Sequence, residues 1–386
     1  MSTEKRFISL DPLLLLLILA LSGLGLVMLL SASSIVAEQK FDDSLFFFRP
    51  QLRNMLIGLA MMFILAKIPY QWLIDVRVTY AILTTVLVCL IFVLIPGIGT
   101  SVNNAYRWIR VPGFSVQPSE MAKLAIVIYM AYSLARKGEK TGSFIYGFLP
   151  HLMVLGVTVS LILLEPDLGT AVCVVVIAFT MMFVAGTKIT HMLALGMLAL
   201  PLLYYQIVNY SFRLKRIAAF LNPWDDPADS GYHIIHSFYA FATGGLWGQG
   251  PGGSQQKLFF LPESHTDFIF SVVAEELGFV GVVIIALLFL VLIIRGLMIA
   301  RSAHEFSGVY LALGCTMIIG IPAFFNMGVV TALLPTKGLP LPFFSYGGTN
   351  LLICYAAMGI LLNVAAQSRG EKPGISKRVR AARQKI

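Results

Sequence analysis

The run PLLLLLILALSGLGLVMLL, from Pro12 to Leu30, sets the fold class of this 386-residue chain. Its apolar core exceeds the roughly 7–15 residues of a cleavable signal peptide, so we interpret it as a retained membrane-spanning helix. A helix needs about 20 mostly apolar residues to cross a bilayer. Nine comparable runs follow, at approximately residues 52–66, 78–95, 118–134, 144–164, 168–185, 189–208, 268–294, 308–334 and 351–366. The chain is therefore predicted to be an all-α polytopic membrane protein with about ten transmembrane helices.

The composition supports the same class. Apolar residues make up 58% of the chain and charged residues 12%, whereas soluble domains are nearer half apolar and a quarter charged. This balance argues against a soluble enzyme and against a nucleic-acid-binding protein, which would need more charge. The long unbroken runs also argue against a β-barrel, whose strands alternate in short segments. All four cysteines lie in apolar runs, so no disulfide is predicted.

The charges predict the orientation. With both termini in the cytoplasm, the inner segments carry 17 of the 28 Lys and Arg residues and 6 of the 19 acidic residues. This excess of inner positive charge is typical of membrane proteins. The predicted organisation is a cytoplasmic N-terminus (1–11), a transmembrane domain (12–366) and a basic cytoplasmic tail (367–386) that is disordered. A large extracytoplasmic loop, residues 209–267, lies between helices 7 and 8, and such long loops are usually functional.

An acidic residue marks the end of that loop. Asp267, in LPESHTDFIF (261–270), is predicted where the loop enters the membrane. Partial desolvation there raises the proton affinity of a carboxylate toward that of a general base. The alternative is that Asp267 caps the following helix, since Asp is a favoured N-cap residue. Glu275 and Glu276 follow in the same helix, where buried acids are costly and need partners.

Further charges collect on the same predicted side. Glu165 and Asp167 form an acidic pair, and Asp167 is also a candidate helix cap. Positive charge on the outer side opposes the topology rule, so either the outer acids or an anionic ligand such as pyrophosphate should compensate it. Lys123 has its own alternative, a pair with Glu120 three residues earlier. The outer cations are Arg107, Arg110, Lys123, Arg213, Lys215, Arg216, Lys257 and Lys337.

Two glycine-rich stretches lie on the predicted outer side. Residues 335–350, PTKGLPLPFFSYGGTN, hold three prolines and three glycines and cannot form one continuous helix. A re-entrant loop that presents Lys337 to a polar head group is one interpretation, and a rigid turn is the other. The stretch GQGPGG (248–253) has the residue pattern of a dinucleotide-binding motif, but it does not lie in the strand–helix unit that such a motif requires. It is interpreted as a turn-rich loop. The histidines His233 and His236, with His265 further along the chain, complete no zinc-site pattern, so His233 and His236 are interpreted as ordinary polar residues.

Taken together, the motifs resemble the SEDS family (shape, elongation, division and sporulation), and its division branch more than its elongation branch. The resemblance spans nearly the whole chain, from Asp11 to Ala366. The segments that carry it are RWI (107–109), QPSEMAKL (117–124), EPDLGT (165–170), FLNPW (220–224), SGY (230–232), QQK (255–257), residues 261–278 and residues 336–348.

The resemblance implies a glycosyltransferase that polymerises lipid II, a disaccharide-peptide on a polyprenyl pyrophosphate, into peptidoglycan strands outside the cytoplasmic membrane, at the division septum. It places the essential acid on Asp267. It implies a class B penicillin-binding protein (a transpeptidase) and other divisome membrane proteins as partners, and a divalent cation (Mg or Mn) is a further option. The alternatives are a lipid II flippase and a non-catalytic scaffold. The candidate substrate-binding residues are Arg107, Lys123, Glu165, Asp167, Arg213, Arg216, Lys257, His265, Lys337 and Ser345.

Overall fold

The computed structural model describes residues 10–102, 105–111, 114–209, 211–257 and 265–370. The predicted N-terminal segment and basic tail therefore lie almost entirely outside the described residues. The helices are α1 (Pro12–Phe41), α2 (Phe48–Lys67), α3 (Tyr70–Leu73), α4 (Val76–Val93), α5 (Pro118–Lys137), α6 (Leu149–Leu164), α7 (Leu168–Val184), α8 (Ile189–Val208), α9 (Ser211–Leu221), α10 (Tyr232–Gly244), α11 (Ile269–Ser302), α12 (Phe306–Val330) and α13 (Gly348–Gly370). The strands are β1 (Gly99–Val102), β2 (Ala105–Val111) and β3 (Phe114–Val116).

The predicted all-α membrane fold is confirmed. Each of the ten apolar runs falls on a long helix. Within the described part of the chain, six helices are long and apolar enough to cross a membrane by length and composition, so ten crossings remain a prediction. Helix α13 extends to Gly370, four residues beyond the predicted end of the domain.

The helices divide into a packed centre and a lipid-facing periphery. Most residues of α12 and α13 are buried, and these two helices pack with α5 and α11. By contrast, α8 leaves large apolar side chains such as Leu198 and Tyr204 exposed. A helix that is apolar all round suits either the protein core or the bilayer. The exposed apolar surface of the outer helices is therefore the surface that lipid covers.

One end of the bundle is closed by a charged cluster. The Asp11 carboxylate caps α1 by accepting a hydrogen bond from the Leu14 backbone N–H at 3.0 Å. It also pairs with Arg295 at 2.5 Å and with Arg369. Burial alone would raise the pKa of Asp11, but the hydrogen bonds from Arg295 and Leu14 and the two positive charges lower it below its usual value. Three residues assigned to the cytoplasmic side thus lie together at one end.

We expect Asp11→Asn to lower the stability of the folded chain by about 1–2 kcal/mol, since hydrogen bonds to charged groups contribute on this scale and both arginines are partly exposed. Because the pKa of Asp11 is lowered, its contribution is present above pH ~4 and is lost as the pH falls through the folded-state pKa. Thermal unfolding in detergent at pH 7 measures the loss. The matched control is Asp43→Asn in the exposed pair with Arg49, where almost no change is expected.

The two outer segments contain more structure than the sequence indicated. Residues 99–116 form a three-stranded antiparallel sheet in the order β1-β2-β3, with Ile109 opposite both Gly99 and Val116. The predicted loop 209–267 contains α9, a 3₁₀ turn at Pro223–Asp225 and α10. Helix α10 packs on the start of α11, where Ser237 Oγ lies 2.9 Å from Ser271 Oγ. Both segments therefore provide a fixed support for the residues they carry.

Candidate functional site

The candidate site centres on Asp267, immediately before α11. The helix begins at Ile269 and its N-cap is Phe268, which makes no side-chain capping bond. Asp267 is therefore not the N-cap residue, so the capping alternative is wrong. Its carboxylate lies against the loop that follows α12, because a Cβ atom built on Gly338 would be 2.6 Å from Asp267 Oδ2. Lys337, the residue before Gly338, is thus placed in the same neighbourhood, and its side chain is half-buried.

A buried asparagine joins these two segments. Asn326, on α12, donates hydrogen bonds from Nδ2 to the Asp267 carbonyl and to the Leu339 carbonyl, both at 2.8 Å. The side chain is 1% exposed. Asn326 was not among the residues predicted from the sequence. The available signal was a polar side chain within an apolar helix, which is expensive in a membrane and usually has a specific partner.

The segment from Pro335 to Gly347 is irregular, as its prolines and glycines predicted, and it is clamped onto the residues before α11. Ser345 Oγ donates to the Thr266 carbonyl at 2.6 Å and accepts from the Leu341 N–H at 2.8 Å. The Tyr346 N–H donates to the His265 carbonyl at 3.0 Å. Ser345 is buried and His265 packs against Phe47, with ring centroids 4.6 Å apart. In this structure these two candidate substrate-binding residues hold the loop in place.

The acidic pair lies at the junction of α6 and α7. Asp167 caps α7, accepting from the Thr170 N–H at 3.1 Å, and it also accepts from Gln117 Nε2 at 3.2 Å. Arg107 crosses from β2 to this turn, donating to the carbonyls of Glu165 at 2.9 Å and Pro166 at 2.7 Å. The capping alternative for Asp167 is thus what the structure shows. Arg107 braces the backbone of the turn.

Glu165 is fully buried, and neither carboxyl oxygen has a hydrogen-bond partner among the described residues. Desolvation raises the pKa of Glu165 to about 8, the neighbouring Asp167 carboxylate adds to this effect, and Arg107 opposes it. A carboxyl group in this state is largely protonated at pH 7. Its position at the end of α6 puts a neutral acid beside the charged residues of the site.

We expect Glu165→Gln to raise the melting temperature at pH 8–9 and to flatten its pH dependence. In the wild type the folded chain holds a proton on Glu165 up to about pH 8, whereas the unfolded chain releases it near pH ~4.3. Stability therefore falls as the pH rises between these values. Thermal unfolding at pH 6 and pH 9 measures the change, with Asp229→Asn in an exposed ion pair as the control. An unchanged slope would show that Glu165 is ionised in the folded protein.

A buried ion pair lies beneath these groups. Lys123 Nζ is 2.8 Å from Glu120 Oε2 on α5, and both side chains are almost completely buried. The starts of α5 and α7 also meet, since Gln117 Nε2 donates to Asp167 Oδ2 at 3.2 Å. The start of α7 and the Lys337 loop touch directly, since a Cβ atom built on Gly169 would be 3.2 Å from the Leu339 side chain. The start of α7, the start of α5 and the Lys337 loop therefore converge beside Asp267.

Lys257 and the acids of α11 are used within the protein. Lys257 Nζ pairs with Glu276 Oε1 at 2.7 Å and donates to Ser31 Oγ at 3.0 Å, and the side chains of Lys257 and Glu276 are almost completely buried. Glu275 accepts from the backbone N–H groups of Gln255 at 3.0 Å and Gln256 at 3.2 Å. Pairing with outer acids, one of the alternatives for the outer cations, is thus what the structure shows for Lys257. Its contact with substrate remains a prediction.

The remaining candidates are on α9 and α10. Arg216 is exposed on α9, and the side chain of Arg213 lies outside the described residues. His236 Nδ1 is 2.7 Å from Gln256 Oε1, and His233 stacks on Phe268 with ring centroids 5.2 Å apart. Among residues 10–102, 105–111, 114–209, 211–257 and 265–370, no three His, Cys, Asp or Glu side chains are grouped to hold a metal ion. A divalent cation therefore remains a prediction.

The sequence and fold match proteins of one kind. Residues 12–370 match the family model FTSW_RODA_SPOVE, described as "Cell cycle protein". The chain is 47% identical over 360 residues to the probable peptidoglycan glycosyltransferase FtsW of Geobacter sulfurreducens, covering 93% of this chain and 96% of that one. It is 43% identical over 373 residues to the stage V sporulation protein E of Bacillus subtilis, covering 96% of this chain and 100% of that one.

Two solved structures share the fold. One is a chain from a peptidoglycan synthase complex described as coordinating polymerization and crosslinking, with a TM-score of 0.77 and 28% identity over 95% of this chain and 100% of that one. The other is the rod shape determining protein RodA of Thermus thermophilus, with a TM-score of 0.69 and 27% identity over the same shares.

Proposed function

Because this chain belongs to the FtsW/RodA/SpoVE family of cell cycle proteins, we propose that it is a peptidoglycan glycosyltransferase that polymerises lipid II. The observation that carries the proposal is the placement of Asp267. Its carboxylate lies at the start of a long apolar helix, against the loop that bears Lys337 and beside the starts of α5 and α7. An acid beside a loop that carries a lysine suits a reaction that moves a proton and releases a pyrophosphate.

The proposed reaction is a single displacement. A sugar hydroxyl of one chain attacks the anomeric carbon of another, a new glycosidic C–O bond forms, and the bond from that carbon to the pyrophosphate oxygen breaks. The hydroxyl proton passes to Asp267, and the bonding electrons leave with the polyprenyl pyrophosphate. An α-linked donor gives a β-linked product in one inversion, so one base is enough and no covalent sugar–enzyme intermediate is required.

The charges around Asp267 support the departure of the pyrophosphate. Lys337 is on the loop that contacts Asp267. Lys123 is held by its ion pair with Glu120, and Arg107 is held by its hydrogen bond to the turn at Glu165. Fixed cations stabilise negative charge more effectively in a desolvated site than in water, because they do not have to reorganise. The hydrogen bonds of Asn326 and Ser345 hold Asp267 and the Lys337 loop in a fixed position relative to each other.

We extend the proposal to location and partners. The chain is an integral membrane protein, and we place both termini in the cytoplasm, with Asp267 at the outer face of the cytoplasmic membrane at the septum. The partner is a class B penicillin-binding protein, within an assembly of other divisome membrane proteins. Support comes from the excess of positive charge in the predicted inner segments and from the solved relative, which is part of a peptidoglycan synthase complex.

The test is reconstitution. The purified chain is mixed with lipid II, with and without its class B penicillin-binding protein, and glycan strands are separated by gel electrophoresis. We expect strands whenever this chain is present with its partner, and one polyprenyl pyrophosphate released for each new linkage. The partner alone is the control. If the complex produces no strands while a known polymerase does so from the same lipid II, the proposal is wrong.

A further inference from the structure

Helix α11 is interrupted at Gly278, where the backbone adopts φ 67° and ψ −170°. A positive φ of this kind favours glycine. There is also no room for a side chain, because a Cβ atom at Gly278 would be 2.3 Å from the Gly248 nitrogen. The interruption is therefore built around the close approach of another segment, residues 245–250.

That segment is bonded to both sides of the interruption. Beyond it, the Phe279 N–H donates to the Gly245 carbonyl at 2.9 Å and the Val280 N–H donates to the Leu246 carbonyl at 3.2 Å. Before it, the Gln249 N–H donates to the Glu275 carbonyl at 2.9 Å. Backbone groups freed by the broken helix are thus satisfied by the loop. The loop 245–250 is fixed at one level of α11.

The lengths of α11 and α1 give the distance of the interruption at Gly278 from the Asp11 end of the bundle. Asp11 and Arg295 are in contact at one end of the bundle, and seventeen residues separate Arg295 from Gly278, which is about 26 Å of helix. Along α1, twenty residues separate Asp11 from Ser31, which contacts Glu276, and this is about 30 Å. The hydrocarbon layer of a bilayer is about 30 Å thick. The interruption of α11 therefore lies at the boundary opposite Asp11.

At that boundary the loop 245–250 exposes apolar side chains on the protein surface. Leu246 is 64% exposed and Trp247 is 80% exposed, next to Phe279, which is 58% exposed. Tryptophan is enriched at the membrane–water interface, where its ring lies in the head-group region and its N–H meets water or lipid oxygens. We propose that Leu246 and Trp247, here called the Leu246–Trp247 tip, insert into the lipid head-group region and anchor the loop to the bilayer surface.

The anchor has a consequence for the candidate site. The same loop continues to Gln255, Gln256 and Lys257, which Glu275 and Glu276 hold against the first turns of α11. Asp267 lies directly before those turns. The Leu246–Trp247 tip therefore fixes the height of Asp267 above the hydrocarbon layer. This inference depends on the chain crossing a membrane, and it holds whether or not the chain polymerises lipid II.

Fluorescence tests the proposal. A variant with Trp72→Phe, Trp108→Phe and Trp224→Phe keeps Trp247 as its one tryptophan and is reconstituted in vesicles containing phospholipid brominated either near the glycerol or near the methyl end. We expect strong quenching of Trp247 fluorescence by lipid brominated near the glycerol and weaker quenching by lipid brominated near the methyl end. Aqueous iodide should quench little. Emission quenched by iodide and unaffected by either brominated lipid would overturn the proposal.

A second measurement covers the case in which the triple variant does not fold. A spin label is attached to Leu246→Cys in a Cys89→Ser background, because Cys173, Cys315 and Cys354 are buried. We expect relaxation by oxygen to exceed relaxation by an aqueous nickel chelate. If the label becomes shielded from the chelate only when a class B penicillin-binding protein is added, the tip is a protein-docking surface and the lipid anchor is wrong.

Discussion

Asp267→Asn is expected to lower the rate of strand formation by a factor of about 10²–10⁴, the usual contribution of a positioned general base. The amide has nearly the same shape but cannot take the proton of the attacking hydroxyl. The fold should survive, because the anchoring bond from Asn326 goes to the backbone carbonyl of residue 267 and not to its side chain. Initial rates with saturating lipid II measure the loss.

The control for this variant is Asp229→Asn, which removes an exposed acid that pairs with Lys215 outside the site. It should polymerise at the wild-type rate. Thermal unfolding of both variants should match that of the wild type within a few degrees. If Asp267→Asn is slow only because it is unfolded, Asp267 has a structural role and the assignment of the base is not supported.

Gly338→Ala is expected to lower the rate by about 100-fold with little change in stability. The new methyl group would stand 2.6 Å from Asp267 Oδ2, so the carboxylate, which is the free end of a flexible side chain, has to move. A displacement of about 1 Å at the reacting groups costs on this scale. The effect should appear mainly in kcat, since the cations that attract the pyrophosphate are unchanged. Steady-state kinetics with lipid II separate kcat from KM.

The matched control is Gly347→Ala in the same loop. Its new Cβ atom would meet only Asn350 Cβ at 3.7 Å, an ordinary contact. It should retain nearly full activity. Equal losses in the two variants would attribute the effect to loop stiffness, and a fully active Gly338→Ala would show that the position of the Asp267 carboxylate does not limit the rate.

The helices could be predicted because apolar runs report directly on the bilayer. Each run in the sequence became a helix, since a membrane leaves the backbone few other ways to satisfy its hydrogen bonds. The irregular loop at Pro335–Gly347 was equally accessible, because prolines and glycines act locally. The outer sheet at residues 99–116 was not predicted. Its three strands are too short to show a clear alternation of apolar and polar residues.

The contacts of the site depended on tertiary structure. Asp167 and Asp267 both precede a helix, yet only Asp167 is used as a cap. The sequence left two interpretations for Lys257, as a ligand for an anion or as the partner of an acid. Its pair with Glu276 became visible only in the folded structure. Asn326 joins residues 13 and 59 positions away in the sequence. Local propensity contains no information about such distances.

The most direct test of the central claim uses sealed vesicles that contain lipid II, the transpeptidase partner and either the wild-type chain or Asp267→Asn. Strand formation and movement of lipid II across the bilayer are recorded separately in the same preparation. If Asp267 is the general base, we expect strands with the wild type, almost none with Asp267→Asn, and equal binding of lipid II by both. Strands formed by Asp267→Asn at the wild-type rate, or translocation by the wild type without any strands, would contradict the central claim.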